Sequence, residues 1–242
     1  MKNPQRLSPA GGGLPRSTIE SSLREAAAAF ARFGMRLPAW ADYGPDDWRR
    51  AGPDHDEIRH CMLGWDVTDF GQGRFREIGR VLFTLRNGTT RHAGYPKPYA
   101  QKYLFDPEGQ RAPAHYHRQK REDICCLAGG NILVRLGGTE GAAIADAGDL
   151  TVAVDGVARR LTPGEVIRLQ PGMSVCIPPG TIHQFWAEEG CGIAVSSEVS
   201  SVCDDWSDNH FLEPAERFPR VVEDAPVTRL LCHEYPPAIP VN

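Results

Sequence analysis

Three histidines and one glutamate carry most of the chemistry in this sequence. His115 and His117 are separated by one residue, so on a β-strand both imidazoles leave the same face. Glu122 follows five residues after His117, the wrong parity for one continuous strand. A turn or bulge around Arg118-Gln119 corrects this and returns the carboxylate across from the histidines. Lys120 shares parity with Glu122 and then faces inward too. A second segment, GMSVCIPPGTIH (172–183), runs through a Pro-x-Gly turn into His183 at the start of a strand. Three imidazoles and a carboxylate are a borderline-hard donor set for Mn²⁺, Fe²⁺, Co²⁺, Ni²⁺ or Zn²⁺. Their formal charge of −1 leaves a bound divalent ion near +1, able to stabilise a developing oxyanion.

A single histidine is more often a surface or core residue than a ligand, whereas a joint pattern across two segments is specific. Residues 109–129 fit G-x5-H-x-H-x4-E-x6-G, and residues 172–187 fit G-x5-P-x-G-x2-H-x3-N, with Ala187 in place of the final Asn. These two segments resemble the paired motifs of the cupins. The resemblance implies a mainly all-β chain, a jelly-roll β-barrel with one divalent ion held by His115, His117, Glu122 and His183.

The flanking sequence supplies elements that suit such a barrel. Residues 1–16 are rich in Pro and Gly and read as a loose lead-in. Ser17 with Glu20 three residues on is a capping box that starts a helix. Ile19, Leu23, Ala26, Phe30 and Phe33 follow at helical spacing, and Gly34 is placed to end it. LPAWADYGPDDW (37–48) reads as a packed connector leading into a short helix near Pro45. Residues 17–59 thus form an N-terminal helical extension, and 60–242 the barrel with a C-terminal tail.

Strands are expected at 61–69, 79–86, 102–106, 124–127, 131–135, 150–154, 165–169, 174–177, 184–187 and 192–197. They are short, rich in β-branched and aromatic residues, and punctuated by Gly, Pro, Asn and Asp. Many short strands at this spacing point to an antiparallel barrel or jelly roll. The tail from Asp204 reads as loop and short helix.

Composition narrows the partners. The chain has 242 residues, a formal net charge of −4, 41% hydrophobic and 24% charged residues. This excludes a global basic field for nucleic acid or an anionic membrane, and no apolar run approaches the ~20 residues of a membrane span. The N-terminus lacks the apolar core of a secretory signal. Seven cysteines without a CxxC pair read as buried free thiols of a cytoplasmic protein, with Cys125 and Cys126 facing opposite sides of one strand.

Two features bear on the reaction. An inward Lys120 requires a partner and suits holding a sugar oxygen or moving a proton. The run Ser197–Asn209, a strand followed by an acidic loop, suits lining the barrel mouth with hydroxyl-binding groups, Asp208 among them. Together with RSTI (16–19), LPAWADYGPDDW, QKYLFDPEGQRAPAHYHRQKREDI (101–124), the LTPGE and PGMS turns, PPGTIHQFW, SEVSSVCDDWSDN (197–209) and RFPRVVEDAP (217–226), these strings resemble the D-lyxose isomerase family of cupins. H-x-H-x2-K-x-E-D-I is the most specific of them. The chain departs from the family pattern at Cys125-Cys126-Leu127-Ala128, at Cys203 where Asn is usual, and at Thr181-Ile182.

The resemblance implies a Mn²⁺-dependent aldose–ketose isomerase that interconverts D-lyxose with D-xylulose, and often D-mannose with D-fructose, through a cis-enediolate. It places metal ligation on His115, His117, Glu122 and His183 and a catalytic or substrate role on Lys120. The proton-abstracting carboxylate is sought among Glu198, Glu213 and Asp208, with Glu213 favoured because it follows the acidic loop. A homodimer is expected, as cupins commonly pair barrel edges. The rival readings are an Fe²⁺-dependent cupin dioxygenase and a non-catalytic sugar-binding cupin.

Overall fold

The computed structural model describes residues 12–139 and 148–238. In chain order it contains β1 (Leu14–Pro15), α1 (Arg16–Arg32), α2 (Pro45–Arg50), α3 (Asp56–His60), β2 (Gly64–Thr68), β3 (Arg80–Arg86) and β4 (Tyr99–Asp106). There follow β5 (His115–Tyr116), β6 (Glu122–Gly129), β7 (Ile132–Thr139), β8 (Leu150–Val154), β9 (Val157–Leu161) and β10 (Val166–Leu169). The chain finishes through β11 (Ser174–Ile177), β12 (Thr181–Ala187), β13 (Ala194–Ser201), β14 (His210–Phe211) and β15 (Val221–Val222). An eight-stranded sheet, β2-β3-β4-β13-β6-β11-β8-β9, faces a five-stranded one, β10-β7-β12-β5-β14. Every described pairing within these two sheets is antiparallel. This is the mainly β jelly roll expected from the motifs.

Strand alternation distributes side chains to two cores. Leu82, Leu104, Ile124 and Cys126 point from the large sheet into the barrel, against Ile132, Val134 and Phe185 of the small one. Their neighbours Val81, Phe83 and Phe105 point the other way and pack beneath α1, where Ile19, Leu23, Ala26 and Phe30 form its buried stripe. The Phe30 ring stacks on Trp65 with centroids 6.0 Å apart. Because α1 covers them, β2 and most of β3 are buried on both faces, and β3 carries the unbroken apolar run Val81-Leu82-Phe83.

The start of α1 corrects the capping-box expectation. Pro15 is the cap residue, and Ser17 already lies inside the helix. Ser17 donates from its N–H and Oγ to the Asp224 carboxylate at 2.8 and 2.7 Å, while Glu20 accepts from the N–H of Thr228 at 2.8 Å. The tail therefore supplies the partners that a local cap would have supplied. Leu14–Pro15 pairs in parallel with Val221–Val222, and buried Arg16 bonds Glu223 and Glu234, so residues 14–16 are packed and not part of a loose lead-in. The C-terminus of α1 follows expectation: Gly34 takes φ +78° and its N–H reaches the carbonyl of Ala31 at 3.0 Å.

The tail departs further from expectation. Among the described residues it holds no helix after β13, only the short strands β14 and β15, because Pro214, Pro219, Pro226, Pro236 and Pro237 deny it helical N–H donors. β9 lies outside the expected strands: Arg159 and Arg160 on this edge strand are exposed, so its pattern looks polar. All seven cysteines are free, with Cys126 in the core and Cys125 half-buried on the other face; Cys191 is exposed and Cys176 half-buried, correcting the expectation of uniform burial.

Candidate metal centre

The two motifs meet at one point because β5 is wedged between β12 and β14. His115 on β5 is directly opposite His183 on β12, with ring centroids 4.3 Å apart. After Tyr116 the chain leaves the strand and turns through residues 117–121 before Glu122 opens β6 on the opposite sheet. Asp208 builds that turn: its carboxylate accepts the backbone N–H of Arg118 at 2.8 Å, Gln119 at 3.2 Å and Lys120 at 3.0 Å. The Pro-x-Gly turn of the second motif locks onto the same loop, since the N–H of Gly180, at φ +78°, donates to the carbonyl of His117 at 2.6 Å.

Each imidazole is fixed from behind by a backbone carbonyl. Nδ1 of His115 lies 2.9 Å from the oxygen of Pro113, that of His117 2.6 Å from Asp208, and that of His183 3.0 Å from Thr181. A ring that donates through Nδ1 presents the lone pair of Nε2 inward. The ligand atoms of the three histidines lie within 4.8 Å of one another. Glu122 Oε1 is 2.7 Å from His183 Nε2 and 3.8 Å from His117 Nε2. These two nitrogens and that oxygen are buried without a hydrogen-bond partner. Lone pairs turned on one another out of water are unfavourable unless a cation sits among them, so the residues present fit a divalent ion.

The electrostatics agree. Burial, then the neighbouring imidazoles His183 and His117, push His115 well below its ordinary range; burial, then the Lys120 ammonium, pushes His117 down to about 4. Both rings are thereby kept neutral, the form that binds metal. Burial would raise Glu122, but the Lys120 ammonium holds it well below the usual carboxylate range.

A ladder of alternating charges leads away from the centre. Lys120 Nζ bridges Glu122 Oε2 at 2.7 Å and Glu198 Oε1 at 2.9 Å. Lys102 Nζ lies 3.3 Å from Glu198, 3.8 Å from Asp205 and 2.9 Å from Cys203 Sγ. Arg217 donates to Asp205 Oδ2 at 3.1 Å and also to Asp66. Burial alone would raise Glu198 and Asp205; Lys102 and Lys120 lower the first, and Arg217 and Lys102 hold the second well down. Lys120, Glu198, Asp205, Asn209 and Arg217 line a cavity of about 50 Å³ beside the ligands, walled by Phe70, Phe185 and Phe211.

The sequence-derived candidates thus separate. His115, His117, Glu122, His183, Lys120 and Glu198 converge. Asp208 is buried, yet its carboxylate is occupied by the ligand loop and does not line the cavity. Glu213 is exposed and belongs to a different cavity of about 530 Å³ with Arg111, Arg135 and Gln184; the N–H of Leu212 on the carbonyl of Ala114 and Pro214 turn it away. Asp205 and Asn209 come from the acidic run expected at the mouth, whereas Lys102 and Arg217 were missed. Lys102 shares the inward parity of Ala100 and Leu104 in an apolar strand, a signal that could have found it. Arg217, far along the tail, offered none.

A jelly roll with a buried imidazole triad and an inward carboxylate at these motif positions defines a cupin whose triad could hold a metal ion. The family model of D-lyxose isomerase matches residues 14–235, and the chain belongs to that family. It is 41% identical over 223 residues to the D-lyxose/D-mannose isomerase of Escherichia coli O157:H7, covering 92% of this chain and 98% of that one. It is 41% identical over 220 residues to that of Serratia proteamaculans, covering 90% and 96%. Among solved structures, the L-ribose isomerase of Acinetobacter sp. DL28, in complex with L-ribose, aligns with TM-score 0.56 at 14% identity over 86% of this chain and 95% of that one. The Cellulomonas parahominis L-ribose isomerase with L-ribose aligns with TM-score 0.54 at 17% identity, over 87% and 97%. At such identities the likeness is one of fold.

Proposed function

We propose that the chain interconverts D-lyxose with D-xylulose and D-mannose with D-fructose, using one divalent ion, Mn²⁺, held by His115, His117, His183 and Glu122. The observation that carries this reading is the set of buried, unpartnered donors with a second ionised carboxylate, Glu198, across Lys120 from them. A bound ion supplies Lewis-acid polarisation of the sugar's carbonyl and adjacent hydroxyl oxygens. Glu198 is the base: Glu122 faces the ion, Asp208 is occupied, and Glu213 lies elsewhere. It removes the proton from the carbon next to the carbonyl and returns it to the neighbouring carbon. Lys120, in reach of Glu198, meets the charge of the enediolate and carries the hydroxyl proton. Arg217, whose buried Nη1 has no partner, and Asn209 take the hydroxyls farther along the sugar.

Two subordinate expectations accompany this reading. Tyr99 and Val199 share the outer face of the large sheet and are both exposed, where pairing of two copies into a homodimer would cover them. Seven free thiols suit the reducing cytoplasm, and among the described residues no helix is long and apolar enough to cross a membrane.

The test is to strip the protein with chelator, restore Mn²⁺ among other ions, and follow ketose formation from D-lyxose and D-mannose without oxygen. Restored turnover is expected. Full turnover in the stripped protein, or none with any ion, overturns the reading.

A further inference from the structure

The charged ladder has one rung more than this chemistry uses. Asp66 on β2 is 2% exposed and does not line the metal cavity. It nevertheless accepts from Arg217 Nη2, the same nitrogen that donates to Asp205 at 3.1 Å. Its other oxygen, Oδ1, has no hydrogen-bond partner, and neither has Arg217 Nη1. A dry carboxylate with an unmet oxygen is costly, and the course of the chain gives it a purpose. Arg217 arrives on the tail between β14 and β15, outside any strand. The tail is tied down on either side of it, by the N–H of Glu216 on the carbonyl of Phe70 at 2.9 Å and that of Cys232 on Trp65 at 2.7 Å. Backbone ties alone leave a long guanidinium many rotamers, whereas two carboxylates on one nitrogen leave few.

We infer that Asp66 is a positioning residue for the sugar site, holding Arg217 from behind so that its free Nη1 meets a substrate hydroxyl. This rests on the isomerase reading above. Cys232 and His233 place donor atoms within 4.8 Å of Asp66, which raises a second metal site as the competing role. The Arg217 guanidinium already bound to Asp66 opposes it by charge, and an ion there would make Asp66 a ligand.

Steady-state kinetics on D-lyxose with the Mn²⁺-loaded full chain tests this, using Asp66→Asn, Asp66→Glu, Arg217→Gln and the Asp66→Asn/Arg217→Gln pair, with metal content measured throughout. Asp66→Asn should raise KM about tenfold or more while kcat moves less than about threefold, and Asp66→Glu should recover most of the loss. In the Arg217→Gln background Asp66→Asn should add nothing, since it acts through the same group. If Asp66→Asn does not fold, Arg217→Lys, which cannot bridge two carboxylates, should raise KM to a similar extent. Wild-type KM in Asp66→Asn, or in Arg217→Lys where that stands in for it, overturns the inference, as do independent effects in the double variant. So does a second metal equivalent per chain that Asp66→Asn removes. A wild-type chain that turns over neither D-lyxose nor D-mannose overturns the isomerase reading itself.

Discussion

Lys120 and Glu198, 78 residues apart in the chain, are joined by a 2.9 Å ion pair inside the barrel. The pair joins the loop of residues 117–121 to β13. It also gives Glu122, the proposed metal ligand, and the proposed base one shared cation, since Lys120 bonds Glu122 as well.

Replacing Glu198 by Gln should lower kcat by about 10²–10⁴ with metal content unchanged. Glu213→Gln, outside the centre, should leave turnover within about twofold. Parallel rate and metal measurements decide this: comparable losses in the two variants would return the base to the tail.

Lys120→Met leaves Glu122 without its ammonium partner, while Glu198 keeps only Lys102 at 3.3 Å. Turnover should fall by about 10²-fold or more, and the protein should lose about 3–5 kcal/mol of stability. Denaturant titration of the metal-free form reads the second effect.

The neutral His117 makes metal-free stability depend on pH. Its folded-state value of about 4 lies below the ordinary 6.5, so below pH 6.5 the unfolded chain binds the extra proton. Stability attributable to this ring is full above pH 6.5 and is lost as pH falls towards 4, by at most about 3 kcal/mol. Denaturation midpoints of metal-free wild type should therefore fall more steeply between pH 7 and 4 than those of His117→Gln. Parallel curves would remove His117 as the source.

Thiol burial is checked by reaction with a disulfide reagent. Cys191 should react at once, Cys125 and Cys176 more slowly, and Cys61, Cys126, Cys203 and Cys232 only on unfolding. Rapid loss of Cys203 in the native protein would contradict the closed setting of Lys102.

Phe30→Ala should cost about 3–5 kcal/mol by opening the core beneath α1, while metal content stays at wild-type level because that core lies on the outer face of β2–β4. Calorimetry with metal analysis reads both.

The convergence of His115, His117, Glu122 and His183, the inward Lys120 and the jelly roll were legible in the sequence because they depend on local rules: strand parity, a turn between His117 and Glu122, and a Pro-x-Gly turn before His183. Those rules act over a few residues and survive without knowledge of neighbours. Tertiary structure alone decided which carboxylate joins the centre, that the tail caps α1 through Asp224, and that Arg217 enters the pocket. Each depends on segments some 80 to 210 residues apart packing together. Periodicity carries no record of such distant pairings, because a buried charge is placed by the partner that meets it, not by its own neighbours in the chain.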